Sequence, residues 1–269
     1  MKKNRAFLKW AGGKYTLIEE IRRHLPQGER LIEPFVGAGS VFLNTDYDKY
    51  LLSDINSDLI NLYKIVQGSL DKFLQDASYL FSEKFNNESA YYQLRDAFNQ
   101  TTELEQRAIL FLYLNRHCYN GLCRYNSKGE FNVPFGRYKR PYFPEKELLF
   151  FSEKAQNATF VCDHYETVLK KVEQGSVVYC DPPYAPLTAT ANFTAYHSSS
   201  FNINDQKKLA KMAQKVAKKG IPVLISNHNT AMTKKWYKNA ELYFIDVRRT
   251  ISSNKSNRTK VNELFALYR

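Results

Sequence analysis

Short apolar runs of strand length recur along the chain in two blocks, with helix-like spacing between many of them. The first block holds residues 30–35 and 50–55. The second holds 158–163, 176–181, 222–227, 241–247 and 263–268. Residues 204–219 carry Leu209, Met212, Ala213 and Val216 on one helical face and six lysines, read as a solvated face. Gly220 and Pro222 then end that helix. Strands alternating with helices predict an α/β fold with a mostly parallel sheet covered on both faces.

Residues 57–150 break the alternation. Residues 90–98 and 105–117 have helical spacing, and Asn126-Ser127-Lys128-Gly129 suits a turn between two short strands. An inserted lobe of helices plus a hairpin, set between two halves of one sheet, accounts for this order. The 269 residues suffice for such a domain, and the 43% apolar content supplies a core. No repeat or low-complexity tract is present.

Charge narrows the partner. Lys and Arg outnumber Asp and Glu by 39 to 27, a formal net charge of +12, which suits a polyanion. Within 116–143, six Lys or Arg and a single Glu are interleaved with seven Tyr or Phe. Cations neutralise phosphates, Arg and Asn read base edges, and aromatics stack or wedge, so nucleic acid is the expected partner. A surface hairpin with incidental charge is the plainer alternative. The four cysteines form no CxxC pair and the five histidines no HxxxH pair, so no metal site is expected. Cys162 and Cys180 read as small core residues, and the cysteine pattern suits a reducing cytosol. Lys9 and Lys14 interrupt any signal-peptide core after the basic start, and the longest uncharged run, 182–204, is too polar to span a bilayer.

Three motifs carry candidate chemistry. The run Val177-Val178-Tyr179-Cys180 leads into Asp181-Pro182-Pro183-Tyr184. A carboxylate at a strand's carboxyl end lies where α/β sheets bind ligands. Prolines offer no N–H, so their carbonyls can face a donor without competition. Acceptor, carbonyl and aromatic plate together suit a planar ring bearing an exocyclic amine. A Pro-stopped strand whose Asp caps a helix is the plainer reading. The second motif, Leu31-Ile32-Glu33-Pro34-Phe35-Val36-Gly37-Ala38-Gly39-Ser40, runs from a strand into a glycine loop. Asp54 follows 17 residues after Gly37, where a carboxylate can accept both ribose hydroxyls. The third glycine of a dinucleotide fingerprint is missing, which favours a nucleoside without phosphates. The third, Lys9-Trp10-Ala11-Gly12-Gly13-Lys14, lacks the Ser or Thr of a phosphate loop, so ATP hydrolysis is disfavoured. Lys14 can pair with a carboxylate there, and the Trp10 face can meet a cation.

Taken together, these motifs resemble the Dam family of DNA adenine-N6 methyltransferases. The resemblance runs from Phe7–Lys14 through Glu33–Ser40 and Tyr113–Arg116 to Asp181–Tyr184, in the order of the α group of amino-methyltransferases. It implies a Rossmann-like methyltransferase sheet with an inserted DNA-recognition lobe. The expected division is 1–56 with 145–269 as the catalytic domain and 57–144 as the target-recognition domain. It also implies S-adenosylmethionine as methyl donor, double-stranded DNA as partner, adenine in GATC as target, and a monomer in the bacterial cytoplasm. Trp10, Lys14, Asp54 and Asp181 fall at cofactor positions, joined by Phe35, Gly37, Gly39 and Tyr165. Lys9, Tyr119, Asn120, Leu122, Arg124, Pro134 and Tyr138 fall at DNA-reading positions. Arg95, Arg116, Asn126, Asn132, Arg137 and Lys139 fall in the DNA-contacting lobe. Asp181 and the Pro182 carbonyl are expected to accept the two N6 hydrogens, with Tyr184 stacked on a flipped adenine and Tyr119 filling the gap.

Other readings stay open at this point. N4-cytosine methylation needs much the same pocket. C5-cytosine chemistry would need a thiolate, for which Cys180 is the nearby candidate. A DNA-binding regulator on an inactive scaffold is the non-enzymatic option. Residues 185–200, long and uncharged, are expected to be mobile without DNA and to order over the flipped base.

Overall fold

The computed structural model describes residues 3–185, 201–247 and 261–269. The loop expected over 185–200 therefore lies, from residue 186 on, outside the described residues. Two compact units divide the chain. One comprises Met1–Tyr15, Val36–Thr45 and Asp54–Cys162. The other comprises Thr16–Phe35, Asp46–Ser53 and Asp163–Arg269.

The second unit holds six strands of the sheet: β1 (Arg30–Glu33), β2 (Lys49–Asp54), β4 (Ser176–Cys180), β5 (Val223–His228), β6 (Glu241–Val247) and β7 (Val261–Tyr268). Their order is β2-β1-β4-β5-β7-β6. β2, β1, β4 and β5 run parallel, whereas β7 lies antiparallel to both β5 and β6. All five β4 residues are buried, as expected of a central parallel strand. α1 (Ile18–His24) and α7 (Tyr165–Lys170) precede α8 (Ile203–Ala217) and α9 (Ala231–Trp236). Asn202 and Asp205 form a capping box at the start of α8. Its face Leu209, Ala210, Ala213, Val216 and Ala217 is buried with Val178, Val223 and Ile225 in one core. Gly220, at φ +81°, follows the helix with its N–H on the Ala217 carbonyl.

The first unit is built around α5 (Leu104–His117). This helix is buried nearly all round, from Ala108 to Asn115 and again at His117, so it serves as the centre of its unit. α2 (Ser57–Gly68), α3 (Leu70–Tyr79), α4 (Glu88–Gln100), α6 (Glu145–Ala155) and β3 (Ala158–Cys162) complete it. The sequence pattern reveals α4 and α5 but passes over α2, α3 and α6. For α2 the cue is local. Asn56 caps it by accepting the Leu59 N–H at 3.1 Å, and Leu59, Ile60, Leu62, Tyr63 and Val66 follow at helical spacing. An aromatic cluster of Phe7, Tyr63, Phe151 and Phe160 fills the core, with centroids 4.8–5.8 Å apart.

Two expectations need correction. The hairpin has its turn, with Gly129 N–H on the Asn126 carbonyl at 3.0 Å. Its arms, however, pair only as single bridges, Tyr125 with Phe131 and Cys118 with Phe135. Phe131 N–H goes to Asn99 Oδ1 at 2.8 Å, and Pro134 has no N–H to give a ladder. Cys162 is exposed, not core. It ends β3, whose burial alternates, and its thiol lies 3.6 Å from the Ile55 carbonyl.

His117 is fully buried, and its Nδ1 lies 2.9 Å from the Tyr113 carbonyl, which can only accept. The ring is thus the Nδ1–H tautomer, and its Nε2 has no partner. Burial pulls its pKa down to about 4. The sign follows from linkage: the neutral ring's contribution is complete above pH 6.5 and is lost as pH falls toward 4. Urea titrations should show about 3 kcal/mol less stability at pH 4 from this group. His117→Phe should lack that share of the acid loss; an unchanged pH profile would assign the loss elsewhere.

Candidate active site and nucleic-acid interface

Strand order in the second unit reverses between β1 and β4, where open parallel sheets bind ligands beyond their carboxyl ends. Both strands end in a motif. β1 leads into the glycine loop and β4 into Asp181-Pro182-Pro183-Tyr184.

Within the first unit, the loop is folded on Asp54. Gly37 N–H donates to Asp54 Oδ2 at 3.1 Å, and Asn56 N–H donates to Oδ1 at 3.0 Å. Tyr63 donates its hydroxyl to the Gly37 carbonyl. Gly37 and Gly39 have φ of +47° and +71°. A Cβ at Gly37 would stand 2.9 Å from Trp10 Nε1, so Trp10 can close over the loop only because that position is glycine. Burial pushes the Asp54 carboxyl up, and the N–H groups of Asn56, Gly37 and Ile55 pull it back. Lys14 is buried and donates to the Gly12 carbonyl at 2.6 Å. An indole beside a glycine, next to a carboxylate with acceptor sites beyond its backbone bonds, fits a nucleoside ribose. Asp54→Ala should therefore weaken S-adenosylmethionine binding by roughly 1.5–3 kcal/mol. Calorimetry giving the wild-type affinity would remove Asp54 from the cofactor site.

In the second unit, Phe35 and Tyr165 stack at 5.4 Å, and Phe201 meets both edge-on at 5.5 Å. Asp181 accepts the Ser226 hydroxyl on Oδ1 at 2.9 Å. The peptide groups after it are held individually. The Pro183 carbonyl takes Gln206 Nε2 at 2.6 Å. Ala185 N–H donates to Asn227 Oδ1 at 2.9 Å, and the Ala185 carbonyl accepts His228 Nδ1 at 2.7 Å. Asn227 Nδ2 in turn donates to Gln206 Oε1 at 2.9 Å and to the Tyr237 hydroxyl at 3.0 Å. Tyr184 is half-buried, its hydroxyl donating to Glu263 Oε2 at 2.7 Å and its ring edge-on to His228. Ser226, Asn227, His228 and Gln206 are absent from the sequence reading. Their one signal is three polar residues in a row closing the apolar run Val223-Leu224-Ile225.

The basic aromatic stretch belongs to the first unit. Tyr119, Asn120, Arg124, Pro134, Arg137 and Lys139 are exposed; Lys9, Arg95, Arg116, Leu122, Asn126, Asn132 and Tyr138 are half-buried. Lys9 Nζ sits 3.9 Å from the Tyr138 ring centre, and the Tyr138 hydroxyl accepts the Asn120 N–H at 3.0 Å. Gly121 lets the Lys9 stem pass: a Cβ there would fall 2.3 Å from Lys9 Cβ. Arg124 donates through Nε to Asn132 Oδ1 at 2.7 Å and through Nη2 to the Asn132 carbonyl at 3.1 Å. Arg116 Nε donates to the Tyr142 carbonyl, Asn126 Nδ2 to Glu130, and Arg137 faces Glu88 at 3.6 Å. Arg95 lies 4.6 Å over the Tyr92 ring.

Cys180 is fully buried, and burial pushes its thiol far above the ordinary range, which removes C5-cytosine chemistry through this residue. Among the described residues no cluster could hold a metal ion, and no helix is long and apolar enough to cross a membrane.

A glycine loop following β1 and an acid-proline-proline-tyrosine turn following β4 are the sequence marks of a methyltransferase that acts on amino groups. Residues 10–251 match the family described as D12 class N6 adenine-specific DNA methyltransferase, and the chain belongs to that family. It is 67% identical over 270 residues to a DNA adenine methylase of Serratia marcescens, covering 100% of both chains. A DNA adenine methylase of Escherichia coli (strain K12) is 61% identical over 100% of this chain and 97% of its own. One from Vibrio cholerae serotype O1 is 55% identical with the same coverage.

Proposed function

We propose that this enzyme transfers a methyl group from S-adenosylmethionine to N6 of adenine in double-stranded DNA, within GATC, after flipping the base from the helix. The observation that carries the reading is Asp181, aimed by Ser226 at the carboxyl end of β4 and followed by prolines. S-adenosylmethionine would supply an electrophilic methyl group and leave as S-adenosylhomocysteine, the sulfur keeping the electrons of the broken C–S bond. Asp181 and the Pro182 carbonyl would each accept one N6 hydrogen, which lets the amine pyramidalise and frees its lone pair from the ring. N6 becomes acidic only as the new bond forms, so Asp181 need not be a strong base, and the proton leaves to its carboxylate or to water. Tyr184 would stack on the adenine.

Cofactor contacts are assigned to Trp10, Lys14, Phe35, Gly37, Gly39, Asp54 and Tyr165. Residues 57–144 would form the target-recognition domain, and 1–56 with 145–269 the catalytic domain. In this reading the enzyme acts as a monomer in the bacterial cytoplasm. Incubating duplex DNA with labelled S-adenosylmethionine and mapping the modified bases tests all of the chemistry at once. Label on N4 of cytosine, or at sites other than GATC, would overturn the target; no label would favour a regulator.

Reading and holding should separate within the recognition lobe. Arg124 is aligned by Asn132, and a guanidinium can reach a guanine edge through two bonds. Arg124→Ala should cost roughly 1–3 kcal/mol on GATC and little on a one-base variant. Lys139→Ala should weaken both alike and lower the salt slope by about one. Uniform loss in both variants would make Arg124 a phosphate contact.

A further inference from the structure

The motif's carboxylate is aimed by two side chains that lie inside the sheet. β4 and β5 are parallel with Cys180 paired to Ile225, so the next residues, Asp181 and Ser226, fall side by side. Ser226 and Tyr179 are buried at 0% and 1% exposure, each next to the apolar core of its strand, Val177-Val178 in β4 and Val223-Leu224-Ile225 in β5. Tyr179 Oη and Ser226 Oγ are 3.0 Å apart, and Ser226 Oγ is 2.9 Å from Asp181 Oδ1. A serine hydroxyl has one proton, and a carboxylate can only accept. That proton therefore lies on the Asp181 contact, and Tyr179 must be the donor to Ser226. Burial holds the Tyr179 phenol far above its ordinary range, with Asp181 adding to the effect, so it stays a donor at every physiological pH.

Two hydroxyls inside a sheet are costly to bury when an alanine and a phenylalanine could fill the same space. One directional effect they have is on Asp181, which Ser226 holds through Oδ1. The bond occupies a single carboxylate oxygen and fixes the rotation of the group, while the cage around Pro183 and Ala185 fixes the backbone on its other side.

We infer that Ser226, oriented by Tyr179, is a positioning residue for methyl transfer, acting by aiming the Asp181 carboxylate at the target amine. The inference rests on the role of Asp181 proposed above. Its signature is in turnover rather than in binding, because both side chains are buried inside the sheet.

Single-turnover methylation of a GATC duplex, with cofactor affinity by calorimetry and thermal melting, tests it on five proteins. Ser226→Ala should lower kcat on the order of 10–100-fold, with KM for DNA and cofactor affinity unchanged. Ser226→Thr, which keeps the hydroxyl, should recover most of that loss. Tyr179→Phe should lose only a few-fold, since Ser226 keeps its bond to Asp181 but gains freedom to rotate. Ser226→Ala leaves a buried phenol without an acceptor and should melt earlier. The Tyr179→Phe/Ser226→Ala protein removes that orphan, so it should regain stability while kcat stays low. If kcat returns together with the melting temperature, the pair is merely structural and the inference fails. It fails equally if Ser226→Ala turns over normally while Asp181→Ala is inactive. Normal turnover in Asp181→Ala itself would instead refute the role of Asp181.

Discussion

Asp181→Ala should lower the rate of methyl transfer by roughly 10²–10³-fold, the scale on which a preorganised electrostatic group contributes to a transition state. The variant should still retard a DNA probe at low salt, because the role proposed for Asp181 is toward the amine and not toward phosphates. Positive charge develops on N6 as the methyl arrives, and a fixed carboxylate offsets it better than water, which would have to reorient. Asp181→Asn separates the charge from the hydrogen bond. Its amide oxygen can still accept from Ser226, so the carbon skeleton stays aimed while the charge is gone. A smaller loss in Asn than in Ala would apportion the two effects. Single-turnover rates at saturating cofactor and gel retardation make the measurement. Near-normal transfer in Asp181→Ala would refute the assignment. Weakened cofactor affinity with an intact rate at saturation would move Asp181 into the cofactor contacts.

The sheet is legible in the sequence because each strand is a bounded apolar run, and all seven runs are strands of the fold. What the runs do not encode is direction: nothing in 241–247 or 263–268 announces that β6 and β7 run antiparallel. The charge and aromatics of 57–150 mask the helical spacing of α2, α3 and α6, although Asn56 signals the start of α2. Cys162 misleads because the last residue of an alternating strand can point either way. For the site, the spacing of Gly37 and Asp54 along the connection from β1 to the end of β2 foreshadows their hydrogen bond, which is set by local chain geometry. The contact of Ser226 with Asp181 is invisible, since it joins residues 45 apart through strand register. Gly121 is unreadable for the same reason: its need for glycine comes from Lys9, more than a hundred positions away.

Asp58→Ala is expected to have the largest effect on stability. Asp58, with its side chain 8% exposed, sits in the first turn of α2, where the helix end favours a negative charge. Arg107 on α5 grips it with two nitrogens: Nε on Oδ1, and Nη2 on Oδ2 at 3.2 Å. The same guanidinium donates to the Phe98 and Thr101 carbonyls and lies 4.2 Å over the Phe98 ring. Tyr125, beside Arg124 in the hairpin, adds its hydroxyl to Asp58 Oδ2 at 2.6 Å. Burial, then Cys123 and Asp58, push that phenol far up, so it remains a donor. Removing the carboxylate leaves a partly buried cation and a half-buried phenol without the acceptor they share. The loss should be about 3–5 kcal/mol, or a fall in melting temperature on the order of 10 °C. Tyr125→Phe removes one hydrogen bond to a charged group and should cost less, about 1.5–3 kcal/mol. Because Tyr125 ties the hairpin to α2, its loss should also narrow the difference in affinity between GATC and one-base-variant duplexes. Thermal melts of both single variants and the double variant give the coupling energy between the two residues. Additive losses would show that the hairpin is held independently of α2 and that the narrowed discrimination has another source.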